Sequence, residues 1–402
     1  MCTDPWVRCR SLAQDNVLSN GDYVRLYTLL PGYETQRWIV SSVSPGSLSP
    51  ALPAVGKANL RPGAEGAFAQ YLVDCVLRLQ KEHNITVDYL SPVNEPQYEW
   101  NSNGQEGSPW SQAEIVSVAR ALDARLGGAG ASNTKVLVSE SAQYKYAVDG
   151  DEPAALATSL AGARGVAPVF GAHAYFSNLR DNSTWKLRRD LAAKVRAAGL
   201  EVWQTEYSML DEPSKHESLT DVSPILDIHL AVHLAKVILH DLVFADAASW
   251  SFWTAMDAER WGQMSRFLLV RLRTPGGSDS PAAWQAGDGV EPAKTLWALG
   301  HFSRFVRPGH VRVWHSANWS GGLGAVAFVN AAASELVEVY VNINKAAATL
   351  DRASLAAPVG AGRRVVASRF FFTDASHDMA LMDRQIDIVS PFSILTVVSA
   401  LA

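Results

Sequence analysis

From residue 64 onward, apolar positions recur with two alternating periods. Within 64–82, Phe68, Tyr71, Leu72, Val76 and Leu79 are spaced along one face of a helix. A short apolar run within 88–96, stopped by Pro96, reads as a buried strand. Residues 111–127 predict the next helix, opened by Ser111 at the N-cap position and closed by glycines. The rhythm continues with strands at 135–141, 168–176, 201–210 and 247–256, and with helices at 183–200 and 225–245. An Ala-rich connection precedes the strand at 168. Strands separated by such helices predict parallel βαβ units.

After Pro308 the period changes. Residues 324–330, 336–344, 363–373 and 385–401 show alternation or short β-rich runs with no helix between them. That pattern predicts an antiparallel β-sandwich or β-sheet domain. The boundary is expected within 300–312, giving an α/β unit over 1–305 and a β-sandwich over 306–402. A (β/α)8 TIM barrel uses about 30 residues per βα unit. Ahead of residue 64 only 23–30 and 37–44 read as strands. The barrel is therefore expected to be incomplete at its N-terminus, with strands 1–3 shortened or partly missing.

Composition narrows the function classes. Hydrophobic residues are 48% and charged residues 19%, as in a globular chain. A net charge of −5 leaves no basic footprint for nucleic acid. No stretch has the apolar length of a transmembrane helix, so no membrane partner is expected. Cys2, Cys9 and Cys75 form neither a disulfide framework nor a metal-ligand spacing. Residues 1–16 lack the apolar core of a signal peptide, although three N-x-S/T sequons (Asn84, Asn182, Asn318) would suit secretion. The 13 tryptophans fill core and also offer flat faces on which sugar rings stack.

The candidate chemistry sits at strand ends, where barrel enzymes carry their catalytic groups. Asn94-Glu95-Pro96 ends one inferred strand, and Glu206-Tyr207 ends another three strand units later. Cleaving a glycosidic bond requires two carboxyls, one to protonate the leaving oxygen and one to act at the ring carbon. Two glutamates at the mouth of one barrel meet that requirement; a loop glutamate is the alternative for either alone. His173 and Tyr175 end the inferred strand 6, and alternation points both into the mouth, as sugar contacts or satisfied core residues. On the last inferred strand, Trp253 is favoured as a sugar platform and Trp250 as packing. Glu140 ends strand 5 and could bond a sugar hydroxyl or pair with a cation. Glu99, Trp100, Gln105 and Glu106 follow strand 4 as candidate contacts to leaving-group sugars or as solvated loop.

Three segments, 90–100 (LSPVNEPQYEW), 202–210 (VWQTEYSML) and 294–309 (KTLWALGHFSRFVRPG), resemble glycoside hydrolase family 30, closest to its endo-β-1,6-galactanase branch. The terminal 391–398 (PFSILTVV) is similar to the closing strand of that family's sandwich, and the resemblance spans roughly 60–402. It implies Glu95 as acid/base at the end of strand 4 and Glu206 as nucleophile at the end of strand 7. Asn94 would bond the sugar 2-OH, and Tyr207 would help hold the nucleophile ionised. It further implies retention of anomeric configuration, with carboxyls about 5–5.5 Å apart. The expected activity is a retaining β-glycosidase acting on an oligo- or polysaccharide, as a monomer and with no metal or organic cofactor. The alternatives are an exo-acting β-xylosidase or β-glucosidase, a β-1,6-glucanase, or an inactive carbohydrate-binding homologue. Secretion is expected by resemblance, with the N-terminus read as truncated.

Overall fold

The computed structural model describes residues 24–28, 38–42, 60, 63–98, 109–178, 184–259, 266–273, 289–316, 323–350 and 363–402. The chain divides into two compact units, one of residues 1–177, 186–207 and 247–251, the other of 178–185, 208–246 and 252–402.

The first unit is built on a seven-stranded sheet in sequential order. Its strands are β1 (Val24–Thr28), β2 (Trp38–Ser42), β3 (Tyr89–Ser91), β4 (Lys135–Ser141), β5 (Val166–His173), β6 (Glu201–Glu206) and β7 (Ser249–Trp250). β1 and β2 pair antiparallel, and every pairing from β2 to β7 is parallel. The two strands expected ahead of residue 64 are thus both in the sheet, joined as an antiparallel pair at its edge. Among the described residues the sheet is a helix-flanked partial barrel, parallel from β2 onward, in keeping with the incomplete barrel expected from the short stretch ahead of residue 64.

Helix α1 (Glu65–His83) buries Phe68, Leu72 and Val76 of the predicted stripe together with Ala69, Val73 and Cys75, while Tyr71 and Leu79 are only half-buried. It ends at Asn84, which adopts the left-handed conformation a C-cap requires at little cost for asparagine. Helix α2 (Gln112–Gly128) opens on a capping box in which Ser111 Oγ accepts from the Glu114 N–H and Glu114 accepts from the Ser111 N–H. The Ala-rich connection after β4 contains two further helices, α3 (Tyr144–Asp149) and α4 (Glu152–Ser159), not anticipated from periodicity. Each is too short to display a repeating apolar stripe. Helix α5 (Thr184–Ala197) carries the fully buried Arg188, which donates to the Ser177 carbonyl and hydroxyl and stacks over Tyr144.

Two strands are much shorter than expected. The run within 88–96 gives only Tyr89–Ser91, because Pro92 has no N–H for a ladder. The run at 247–256 gives Ser249–Trp250 in this sheet.

The second unit contains α6 (Asp227–Phe244), a small sheet of β8 (Met256–Ala258), β9 (Val270–Leu272) and β10 (Val290–Pro292), and α7 (Lys294–Ser303). The C-terminal strands are β11 (Val311–Ser316), β12 (Leu323–Val329), β13 (Glu335–Asn342), β14 (Ala348–Thr349), β15 (Val365–Thr373), β16 (Ala380–Met382), β17 (Ile388–Val389) and β18 (Ser393–Leu401). Six of them form one antiparallel sheet ordered β11-β12-β13-β18-β15-β16, and β14 pairs with β17. The expected antiparallel domain is present. Its central strands β12, β13 and β18 are buried along nearly their whole length, on both faces. One face packs Tyr340, Phe370, Phe372, Leu395 and Val397 with Leu350 and Val389, which belong to the short strand pair and its flank. Helices α6 and α7 pack on the sheet as well, and α7 brings His301 between the hydroxyls of Thr396 and Thr373 at 2.8 Å each.

Candidate active site

The candidate side chains of the first unit converge where the parallel strands end. β3 stops at Ser91, and the chain turns through Asn94 and Glu95, with Glu95 in the left-handed region at φ 48°. The Glu95 N–H is fixed by the Glu140 carbonyl at 2.9 Å, and the Trp110 N–H bonds the Pro96 carbonyl at 2.9 Å. On β4, Ser139 (φ 83°) and Glu140 (φ 50°) are also left-handed, and the β4–β5 register slips between Ser139 and Ser141. This bulge turns the Glu140 side chain inward. Opposite it, a Cβ on Gly171 would stand 2.8 Å from Leu137 Cδ2, so the glycine makes room for that leucine beside the Glu140 carboxylate.

His173, fully buried, is the hub. Its Nδ1 lies 2.9 Å from Glu95 Oε1, and its Nε2 lies 3.2 Å from Glu140 Oε2 and 3.9 Å from Glu206 Oε2. Tyr175 OH donates to Glu206 Oε1 at 2.7 Å. The hydroxyl of Thr205, one residue before Glu206, donates to Glu140 Oε2. One ligand atom each from Glu95, His173 and Glu206 falls within 4.8 Å of the others. One carboxylate oxygen of Glu95 and one of Glu206 therefore lie within 4.8 Å of each other. That trio has a geometry a cation could use, but both His173 nitrogens already face carboxylate oxygens, so the arrangement here is a hydrogen-bonded cluster.

Glu95 is the most accessible member, its side chain 15% exposed against 3% for Glu206 and 2% for Glu140. Asn94 is buried, and its carbonyl oxygen has no hydrogen-bond partner among the described residues. An aromatic row continues from the cluster, with ring centroids 5.8 Å apart for His173 and Tyr175, 6.2 Å for Tyr175 and Tyr207, and 6.1 Å for Tyr207 and Trp250. Trp253 belongs to the second unit, where it is half-buried. Glu99, Trp100, Gln105 and Glu106 lie outside the described residues.

Electrostatics follow from burial and neighbours. Burial alone would push the His173 imidazolium down, but hydrogen bonds to Glu140 and Glu95 outweigh it and hold its pKa above the ordinary value. Behind the cluster sits Glu152 at the start of α4, which sequence reasoning passed over. Its Oε1 accepts from Gln97 Nε2 at 2.6 Å and Ser139 Oγ at 2.9 Å, tying the turn after Glu95 to the bulge before Glu140. Burial pushes its carboxyl up to about 7, against the hydrogen bonds it accepts from Ser139, Gln97 and Ser141. Between 4.5 and about 7 the folded chain keeps a proton that the unfolded chain has released, so stability falls as pH rises through that window. Above it the cost is roughly 3 kcal/mol at 1.36 kcal/mol per unit. Glu152→Gln, neutral and of the same shape, should melt a few degrees above the parent at pH 8 and level with it near pH 4. Thermal unfolding by circular dichroism checks this, and equal midpoints at pH 8 would refute it.

Glu95 and Glu206 thus bring their carboxylates together beyond the ends of parallel strands, on a helix-flanked sheet. The family model described as O-Glycosyl hydrolase family 30 matches residues 49–263, just over half of the chain, and the chain belongs to that family. It is similar to Glucuronoxylanase XynC of Bacillus subtilis, 25% identical over 290 residues that cover 71% of this chain and 54% of that protein. The chain thus spans about half the length of the curated relatives it matches. Among solved structures, a conserved exported protein from Bacteroides fragilis aligns with a TM-score of 0.70 at 23% identity, over 85% of this chain and 71% of that one. The catalytic domain of a family 30 xylanase C from Talaromyces cellulolyticus aligns with a TM-score of 0.60 at 20% identity, over 86% and 71%. An endo-β1,6-glucanase aligns with a TM-score of 0.57 at 16% identity, over 87% and 66%. These structural likenesses speak to the fold. Among the described residues no helix is long and apolar enough to cross a membrane.

Proposed function

We propose that the chain is a retaining β-glycosidase, in which Glu206 attacks the anomeric carbon and Glu95 protonates the leaving oxygen, then deprotonates the incoming water. The observation that carries this reading is the approach of the Glu95 and Glu206 carboxylates within 4.8 Å at the ends of two parallel strands. Two further features support it. Glu206 is buried, and its Oε1 accepts from the Tyr175 hydroxyl, which orients the carboxylate. Glu95 is the more exposed of the two, as a group that meets the glycosidic oxygen and water must be. The unpartnered Asn94 carbonyl suits a hydrogen bond from the sugar 2-OH, and Tyr207 and Trp250 offer rings for stacking. Trp253 is retained as a candidate platform, and His173 and Tyr175 act through the glutamates they touch. No metal or organic cofactor enters this mechanism.

The substrate is a β-linked glycan. β-1,6-Galactan is the first choice, because the residues around both glutamates resemble that branch; β-1,6-glucan and glucuronoxylan follow from the names of similar proteins. The protein is proposed to act as a secreted monomer. The test is turnover of these three glycans and of aryl β-glycosides, with the anomer first formed read by proton NMR. Release of the β-anomer is expected. Release of the α-anomer would exclude double displacement, and binding without turnover would favour an inactive sugar-binding homologue. A specific feature keeps that second reading in play: β1 and β2 pair antiparallel where a (β/α)8 barrel has parallel strands.

A further inference from the structure

The mechanism above leaves Glu140 without a part, yet its Oε2 is held from two sides. It is buried on a left-handed backbone within a bulge, and its Oε2 meets both His173 Nε2 and the Thr205 hydroxyl. A left-handed non-glycine residue and a buried charge each cost free energy, so the surroundings must compensate for both. Through His173 it reaches Glu95, through its own carbonyl it fixes the Glu95 N–H, and through Thr205 it touches the strand end that carries Glu206.

The groups facing His173 fix what it can do. Glu95 stands at Nδ1, Glu140 at Nε2 with Glu206 slightly farther, and the Tyr175 ring lies at its edge while that residue's hydroxyl is committed to Glu206. Behind Glu140 the nearest further acid is Glu152, reached through Ser139. Three carboxylates thus face one buried imidazole ring.

We propose that Glu140 is a positioning residue that keeps His173 a donor at both ring nitrogens, so that the proton of Glu95 stays available to the glycosidic oxygen. The inference rests on the glycosidase reading. An imidazolium has no lone pair to offer, so its Nδ1–H donates to Glu95 Oε1 and the acid's own proton must sit on Oε2. In the second step the same donor holds the orientation of the Glu95 carboxylate toward the incoming water. If Glu140 lost its charge, burial would neutralise His173. A neutral ring would accept the Glu95 proton at Nδ1, or share one proton with it, and the acid would be diverted from the leaving group.

The experiment compares wild type with Glu140→Gln on two aryl β-glycosides, one with a dinitrophenolate leaving group and one with a poor alkylphenolate. Imidazole 15N shifts of His173 are read in both proteins. In wild type, both nitrogens should be protonated through pH 7. In the variant the ring should be neutral at pH 7, the alkaline limb of kcat/KM on the poor substrate should move toward acid by a unit or more, and kcat on that substrate should fall on the order of 100-fold. The dinitrophenyl substrate, which needs little protonation of its leaving group, should lose only a few-fold in kcat/KM. Equal losses on both substrates with an unmoved limb would mean a merely structural role and overturn the proposal. So would a neutral His173 in wild type at pH 7, a result that does not depend on the variant folding. A wild type with no turnover but a doubly protonated His173 would instead count against the glycosidase reading while upholding the positioning one.

Discussion

Glu206→Gln is expected to leave the protein folded and lower kcat by roughly 10⁴-fold or more, as loss of a covalent nucleophile does elsewhere. The substitution is nearly isosteric. Tyr175 can still donate to the amide oxygen, so the aromatic row and the β5–β6 ladder should survive. What disappears is the negative charge that forms and stabilises the bond to C1. The signature is therefore a fall in kcat on every substrate regardless of its leaving group, with retained glycan binding by calorimetry. A variant that kept even a tenth of wild-type turnover would remove Glu206 from the reaction.

Glu95→Ala should behave differently, and the contrast separates the two roles. General acid catalysis contributes typically 10²–10⁴-fold, and it matters most when the departing oxygen is strongly basic. On the poor alkylphenolate substrate kcat/KM should drop by roughly 10³-fold, while on the dinitrophenyl substrate it should stay within about tenfold of wild type. The second step still lacks its base, so the glycosyl-enzyme should accumulate and kcat should fall. Azide needs no base and fits the space left by the side chain; it should restore kcat and yield the β-glycosyl azide. Identical losses on both substrates without azide rescue would assign Glu95 a role other than acid/base.

The parts of this site that could be read from sequence share one property: each lies at the end of a strand whose apolar run was unambiguous. Glu206, His173 and Tyr175 follow from β5 and β6 in that way, and Glu95 follows even though its strand is only three residues long, because Asn94 and Pro96 flank it. The connections among them were not legible. His173 meets Glu95 across 78 residues and Glu140 across 33, and Thr205 meets Glu140 across 65. These contacts depend on register slips, at Ser139/Ser141 and at Ala172/His173, that re-aim side chains without leaving a trace in hydrophobic alternation. Glu152 was hidden for another reason. It begins a helix of eight residues inside an Ala-rich stretch, and its importance comes from Gln97 and Ser139 folding onto it. In the second unit, alternation revealed the antiparallel strands. It did not reveal that the central ones bury both faces, because Thr396, Glu338 and Asn342 supply polar positions that nevertheless point into the interior.

The left-handed backbone at Glu95, Ser139 and Glu140 bears on how this protein can be improved in the laboratory. Each position carries a conformational cost of order 1 kcal/mol that glycine would relieve and asparagine would lessen. A library screened for heat tolerance alone would thus be rewarded for replacing an acid, its neighbour's hydroxyl tether and the carboxylate behind it. Hardier clones would emerge with the reaction gone. Selections on this scaffold should hold those three positions fixed and draw thermal gains from elsewhere, with the neutralised Glu152 as a first addition.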